Sequence, residues 1–124
     1  MPRRNPLNPP PASLPPLDMR FEELRVEPWP DGHRVRVHVT LKPFLKNPNL
    51  EFVILDFQGR EISHSSIIEN TDNRFVFTMH LRTNDLSGIF KLMGTIIYEE
   101  EGNVDTQSVE FTTKASPEIN PDSE

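Results

Sequence analysis

The 124-residue chain contains no cysteine, which excludes a disulfide framework, a thiolate metal site and a cysteine nucleophile. No apolar run approaches the roughly 18 residues that a membrane span requires. The N-terminal segment has two arginines but no apolar stretch after them, so it does not have the pattern of a secretory signal. The chain also has no Asn-x-Ser/Thr glycosylation site. We therefore expect a cytoplasmic protein without membrane contact.

The chain also lacks an excess of basic residues. It has 13 Lys and Arg against 19 Asp and Glu, for a formal net charge of -6. A protein that binds the phosphate backbone needs a basic face, so we expect no nucleic-acid partner.

Proline is abundant at the N-terminus, where it occupies seven of the first sixteen positions. Proline has no N–H and a fixed φ, which disfavours helices and central strands and favours extended polyproline II. We predict a Pro-rich flexible arm at 1–17, one domain at 18–114 and a disordered acidic tail at 115–124. Within the arm, Arg3-Arg-Asn-Pro-Leu-Asn-Pro9 fits the Arg-x-x-Pro-x-x-Pro pattern that SH3 grooves accept, but we favour a plain linker or disordered arm.

Alternation of polar and apolar residues predicts strands throughout the domain. The predicted strands cover residues 19–27, 34–41, 51–57, 60–68, 74–81, 89–98 and 104–113. The first changes its apolar parity at Glu22-Glu23, which predicts a β-bulge or a strand switch, and the serine-rich fourth is typical of a sheet edge. Seven strands at turn spacings near ten residues favour an all-β, seven-stranded antiparallel sandwich.

The segment Leu86-Ser-Gly-Ile-Phe-Lys-Leu92 resembles the entry to the F strand of immunoglobulin-like domains, Asp-x-Gly-x-Tyr-x-Cys. Gly88 matches the glycine, while Phe90 and Leu92 occupy the tyrosine and cysteine positions and Leu86 replaces the aspartate. The resemblance implies an immunoglobulin-like β-sandwich and is also compatible with fibronectin type III sandwiches. It implies no activity, because this architecture hosts many unrelated functions.

Two groups of residues are candidates for metal binding. His38 and His80 face outward on strands that are neighbours in the implied topology, but no third ligand accompanies them. The same topology gathers oxygen donors of the kind that calcium binds in three loops at one end, together with Lys42 and Lys46. The donors are Glu69, Asn70, Asp72, Asn73, Glu99, Glu100, Glu101 and Asn103. Their spacing does not fit the Asp-x-Asp-x-Asp-Gly calcium loop, and we expect neither a cofactor nor a catalytic residue.

The third and sixth predicted strands are apolar on both faces, although only one face of each can point between the sheets. We expect the outer face to present Phe52 and Ile54 beside Met93, Thr95 and Ile97, forming an apolar interface. The favoured hypothesis is a non-enzymatic interaction module whose partner is another protein or a second copy, giving a homodimer. The alternative is a small metal-dependent hydrolase that uses the surface histidines.

Overall fold

The computed structural model describes residues 13–113, so most of the predicted arm and the whole predicted tail lie outside the described residues. Within this range, a short 3-10 helix, Pro16–Asp18, precedes seven strands. The strands are β1 (Phe21–Pro28), β2 (Arg34–Leu41), β3 (Asn49–Leu55), β4 (Glu61–Ile67), β5 (Arg74–His80), β6 (Phe90–Tyr98) and β7 (Gly102–Phe111). Between residues 13 and 113 no helix is long and apolar enough to cross a membrane.

The strands form two antiparallel sheets, with the orders β1-β2-β5 and β4-β3-β6-β7. This arrangement confirms the predicted seven-stranded antiparallel sandwich and is consistent with an immunoglobulin-like fold. The serine-rich strand β4 lies at a sheet edge, as predicted.

The predicted bulge in β1 is present, because the register against β2 shifts between Phe21 and Glu23. Before the bulge, Met19 and Phe21 are buried; after it, Leu24 and Val26 pack against the same core. The extra residue therefore lets both halves of the segment contribute apolar side chains to one side of the sheet.

The core lies between the sheets and is built from alternate residues of each central strand. Phe52 occupies its middle, with ring centroids 4.9 Å from Phe77 and 6.3 Å from Phe21. Gly94 lies directly across from Phe52 in the β3–β6 pair. A Cβ atom at Gly94 would lie 3.1 Å from both the Phe21 and Phe52 rings, so the glycine makes room for this aromatic cluster.

Hydrogen bonds close both sides of the sandwich. On one side the Phe21 amide donates to Asp105 Oδ2 of β7 at 2.9 Å, and on the other the Arg82 amide donates to the Ile62 carbonyl of β4 at 3.2 Å. Leu14, which the sequence places in the predicted arm, forms a parallel bridge with Phe44 and packs against the core.

The turn between β3 and β4 is organised by Asp56, whose side chain is only 2% exposed. Its carboxylate accepts the amides of Gln58 and Arg60, each at 2.9 Å, and Arg60 Nε at 3.0 Å. The backbone hydrogen bond from Arg60 is the main reason that the pKa of Asp56 lies below its usual value of 3.8. Gly59 follows with φ of +81°, a conformation that favours glycine.

Candidate interaction surfaces

The predicted facing of β3 is wrong: Phe52 and Ile54 are 0% exposed and belong to the core. Directly opposed residues of an antiparallel pair share a face, and here Phe52 lies opposite Gly94 and Ile54 opposite Leu92. Because β3 carries apolar residues on both faces, the alternation of polar and apolar residues does not distinguish its core face from its outer face. The charged Glu51, which has the parity of Val53, was the signal that marks the outer face.

Met93, Thr95 and Ile97 lie on the outer face of the four-stranded sheet, where each is partly exposed. Their true neighbours on β3 are the outward residues of that strand: Val53 lies across from Met93, and Leu55 lies one row further on. We call Val53, Leu55, Met93, Thr95 and Ile97 the outer patch. That the outer patch forms an interface remains a prediction.

The outer patch continues into a shallow concavity of about 370 Å³ at one end of the sheet. Leu55 of the patch lines it together with Phe57 and Ile89, which are 49% and 53% exposed. Lys91 and Glu110 form its charged border and are directly opposed on β6 and β7. The apolar surface therefore extends beyond the two central strands.

Polar side chains border the patch along both neighbouring strands. On β7, Thr106 places its hydroxyl 3.4 Å from that of Thr95. On β4, His64 places Nε2 3.4 Å from Glu51 Oε1. Within the face itself, Glu51 of β3 lies directly opposite Thr95 of β6, so polar groups also separate the apolar residues of the two central strands.

The three-stranded sheet has an outer face of the opposite character, formed on β2 by Arg34, Arg36, His38 and Thr40. His38 Nε2 lies 3.0 Å from Glu27 Oε1, and this hydrogen bond lowers the pKa of Glu27. His38 lies opposite Val76, whereas His80 lies opposite Arg34. The two histidines are thus four positions apart along the strands, or about 13 Å, which is too far to share a metal ion.

The loops after β2, β4 and β6 meet at one end of the sandwich and carry the predicted oxygen donors. One of these donors has a structural role: the buried Asn70 donates its side-chain amide to the Asp72 carbonyl at 2.6 Å. Nearby, the Tyr98 hydroxyl donates to the Lys46 carbonyl at 2.8 Å, and burial raises the pKa of Tyr98 to about 12. The described residues contain no group of three or more His, Cys, Asp or Glu that is arranged to hold a metal ion.

Sequence reasoning missed a cleft beside Trp29, in the turn between β1 and β2. The Arg34 and Arg36 guanidinium carbons lie 4.1 and 5.1 Å from the centre of the Trp29 ring, within the range of cation–π contacts. A cavity of about 180 Å³ there, which we call the Trp29 cleft, is lined by Glu27, Pro28, Trp29, Pro30 and Arg36. In the sequence, Arg34 and Arg36 follow Trp29 with matching parity, which is the signal that could have indicated the cleft.

Comparisons with known proteins identify a fold and no family. No protein-family model matches the chain, and no curated protein matches it. Among solved structures, a β-glucuronidase from Ruminococcus gnavus in complex with D-glucaro 1,5-lactone aligns with 77% of this chain at a TM-score of 0.52 and 9% identity. A glycosyl hydrolase family 2 member from Bacteroides cellulosilyticus DSM 14838 aligns with 76% of it at a TM-score of 0.55 and 10% identity. The chain spans only 16% and 15% of those two proteins, so the likeness concerns the sandwich fold alone.

Proposed function

We propose that this protein is a non-enzymatic interaction module that pairs with a second copy of itself through the outer patch. The observation that carries the proposal is the contrast between the two outer faces. Water favours polar residues on an outer sheet face, as on β2, whereas the four-stranded sheet presents Val53, Met93 and Ile97 on its two central strands.

The area of the face is sufficient for a weak dimer. Four strands spaced about 4.8 Å apart and some 30 Å long present roughly 600 Å² per copy. Two such faces together bury about 1,200 Å², the lower end of the range for specific interfaces. If about half of that area is apolar, burial at about 25 cal/mol per Å² gives roughly 15 kcal/mol before association costs. Those costs are about 4–15 kcal/mol, so we expect a dissociation constant in the micromolar range.

The arrangement of the patch also suits a twofold interface, in which the same surface meets itself. Val53 and Met93 are directly opposed neighbours near the middle of the sheet. An axis that runs between β3 and β6 would place Val53 of each copy against Met93 of the other, so apolar side chains meet apolar side chains. Lys91 of β6 lies opposite Glu110 of β7, so these two charges have opposite signs and offset each other within the face. Repulsion between the two negatively charged copies is screened beyond about 8 Å at physiological ionic strength.

The test is sedimentation equilibrium over a range of micromolar concentrations. We expect a monomer–dimer equilibrium that the double variant Val53→Lys/Met93→Lys weakens at least ~100-fold, equivalent to about 2.7 kcal/mol. Val76→Lys is the matched control, because Val76 is 50% exposed on the outer face of the other sheet. A wild-type protein that stays monomeric throughout, or a control that weakens the dimer equally, would overturn the proposal.

A further inference from the structure

The Trp29 cleft contains an arginine, Arg36, that forms no salt bridge within residues 13–113. Arg34 is neutralised locally, since its Nε and Nη2 lie 3.0 and 2.9 Å from Asp31 Oδ2. Arg36, two residues further along β2, makes no ion pair with any carboxylate in the described part of the chain. Its cross-strand neighbour Glu27 is bonded to His38 instead. Glu27 still attracts Arg36 electrostatically, but no carboxylate of the described residues is hydrogen-bonded to the exposed guanidinium, which can therefore bind an anion from outside.

The walls of the cleft select what kind of anion fits. Pro28, Trp29 and Pro30 give it an apolar side, while Arg36 supplies a planar set of donors suited to a carboxylate. The indole Nε1 of Trp29 is buried and has no hydrogen-bond partner among residues 13–113, so the part of Trp29 that lines the cleft is treated as apolar. The volume of about 180 Å³ is below the roughly 300 Å³ at which small-molecule pockets begin. That volume suits one side chain.

We infer that the Trp29 cleft binds a glutamate or aspartate side chain of an acidic, proline-containing peptide segment presented by a partner protein. The carboxylate pairs with Arg36, and the adjoining proline packs on the Pro28–Trp29–Pro30 wall. This site lies on the three-stranded sheet, whereas the outer patch lies on the other sheet, so the inference does not depend on the proposed dimer. Recognition of acidic motifs by arginine is a recurring mode of peptide binding.

Trp29 is the single tryptophan of the chain, so one indole N–H resonance and one fluorescence signal report on this site. The probe is the blocked tripeptide acetyl-Pro-Glu-Pro-amide, and its matched control is acetyl-Pro-Gln-Pro-amide. We expect a saturable shift of the Trp29 resonance with the glutamate peptide and none with the glutamine peptide. Because most of the affinity comes from an exposed ion pair, raising the salt concentration should weaken binding.

Variants separate the cleft from general surface charge. Arg36→Gln should weaken binding at least tenfold. Arg74→Gln should leave binding unchanged, because Arg74 lies on the same outer face but four positions along β5 from Thr78, the residue that pairs with Arg36. Glu27→Gln removes a competing negative charge from the lining while leaving Arg36 and Trp29 in place, and should strengthen binding.

Three results would overturn the inference: no shift at millimolar peptide, equal shifts with both peptides, or equal losses in Arg36→Gln and Arg74→Gln. The Glu27→Gln variant keeps the test decisive if Arg36→Gln disturbs the turn, since weaker binding in that variant also contradicts the site. The Val53→Lys/Met93→Lys variant should bind the peptide like the wild type. A negative result for the proposed dimer can thus be distinguished from a negative result for peptide binding in the Trp29 cleft.

Discussion

Truncation of adjacent residues in β3 should lower the free energy of unfolding by very different amounts, because one residue faces the core and the other faces solvent. Ile54 is 0% exposed and lies between Leu92 of β6 and Ser63 of β4 in its row. Val53 is only half-buried on the outer face. We expect Ile54→Ala to destabilise the monomer severely and Val53→Ala to do so only slightly.

The magnitude follows from the atoms removed. Ile→Ala deletes three buried carbons, and at about 0.8 kcal/mol each their transfer alone costs about 2.4 kcal/mol. The cavity left behind brings the expected loss to about 3 kcal/mol, within the range of about 2–5 kcal/mol for such truncations. Val53→Ala removes two partly exposed carbons and should cost less than about 1 kcal/mol. A domain of this size has a total stability of about 5–15 kcal/mol, so the first loss is a large fraction of it.

Urea titration of both variants at low protein concentration, followed by circular dichroism, gives the two free energies of unfolding. The melting temperature of Ile54→Ala should fall by about 12–24 °C, at about 4–8 °C per kcal/mol. Measuring at concentrations where the protein is monomeric keeps self-association out of the comparison. Similar losses in the two variants, or a larger loss in Val53→Ala, would refute the assigned facing of β3 and the outer patch with it.

Two further predictions concern single positions. Asp56→Asn should lower the free energy of unfolding at neutral pH, because the pKa of Asp56 is lower in the folded than in the unfolded protein. The extra stability of the wild type should be present above about pH 4 and should disappear as the pH falls through the folded pKa. Urea midpoints measured across acid pH test this. Gly94→Ala should cost about 1–3 kcal/mol, because the added Cβ would lie 3.1 Å from the Phe52 ring, and an unchanged urea midpoint would contradict the close packing described there.

The parts of the fold that sequence predicted are those with a local signal. Strict alternation in Arg34–Leu41 placed Val35, Val37, Val39 and Leu41 in the core, where they are 0–1% exposed. The parity change at Glu22-Glu23 predicted a bulge or a strand switch, and the structure has the bulge, since the register shifts between Phe21 and Glu23. The resemblance around Gly88 pointed to the correct architecture, and Gly88 has the positive φ, 82°, that favours glycine.

The facing of β3 was not predicted, because the strand carries apolar residues on both faces and only the charge of Glu51 marks the outer one. Asp56 has the parity of Phe52 and Ile54, so its charge is compatible with an outer position for them. In the structure Asp56 follows the end of β3, and its charge is satisfied by the turn itself. The Trp29 cleft was not predicted for another reason: its shape depends on the directions of three long side chains, which no spacing rule encodes.

The hydrogen bond between the Phe21 amide and Asp105 joins positions 84 residues apart, from the first strand to the last. A sandwich joined in this way acquires its final contacts only when β7 is present, and contacts so distant in sequence are associated with slow folding. The central strand β3 must likewise wait for β6, which begins at Phe90 and ends at Tyr98. At about 5–20 residues per second, translation leaves the apolar β3 without that partner for about 2–9 seconds. The nascent chain is therefore most open to aggregation or chaperone binding in the interval between the synthesis of these two strands.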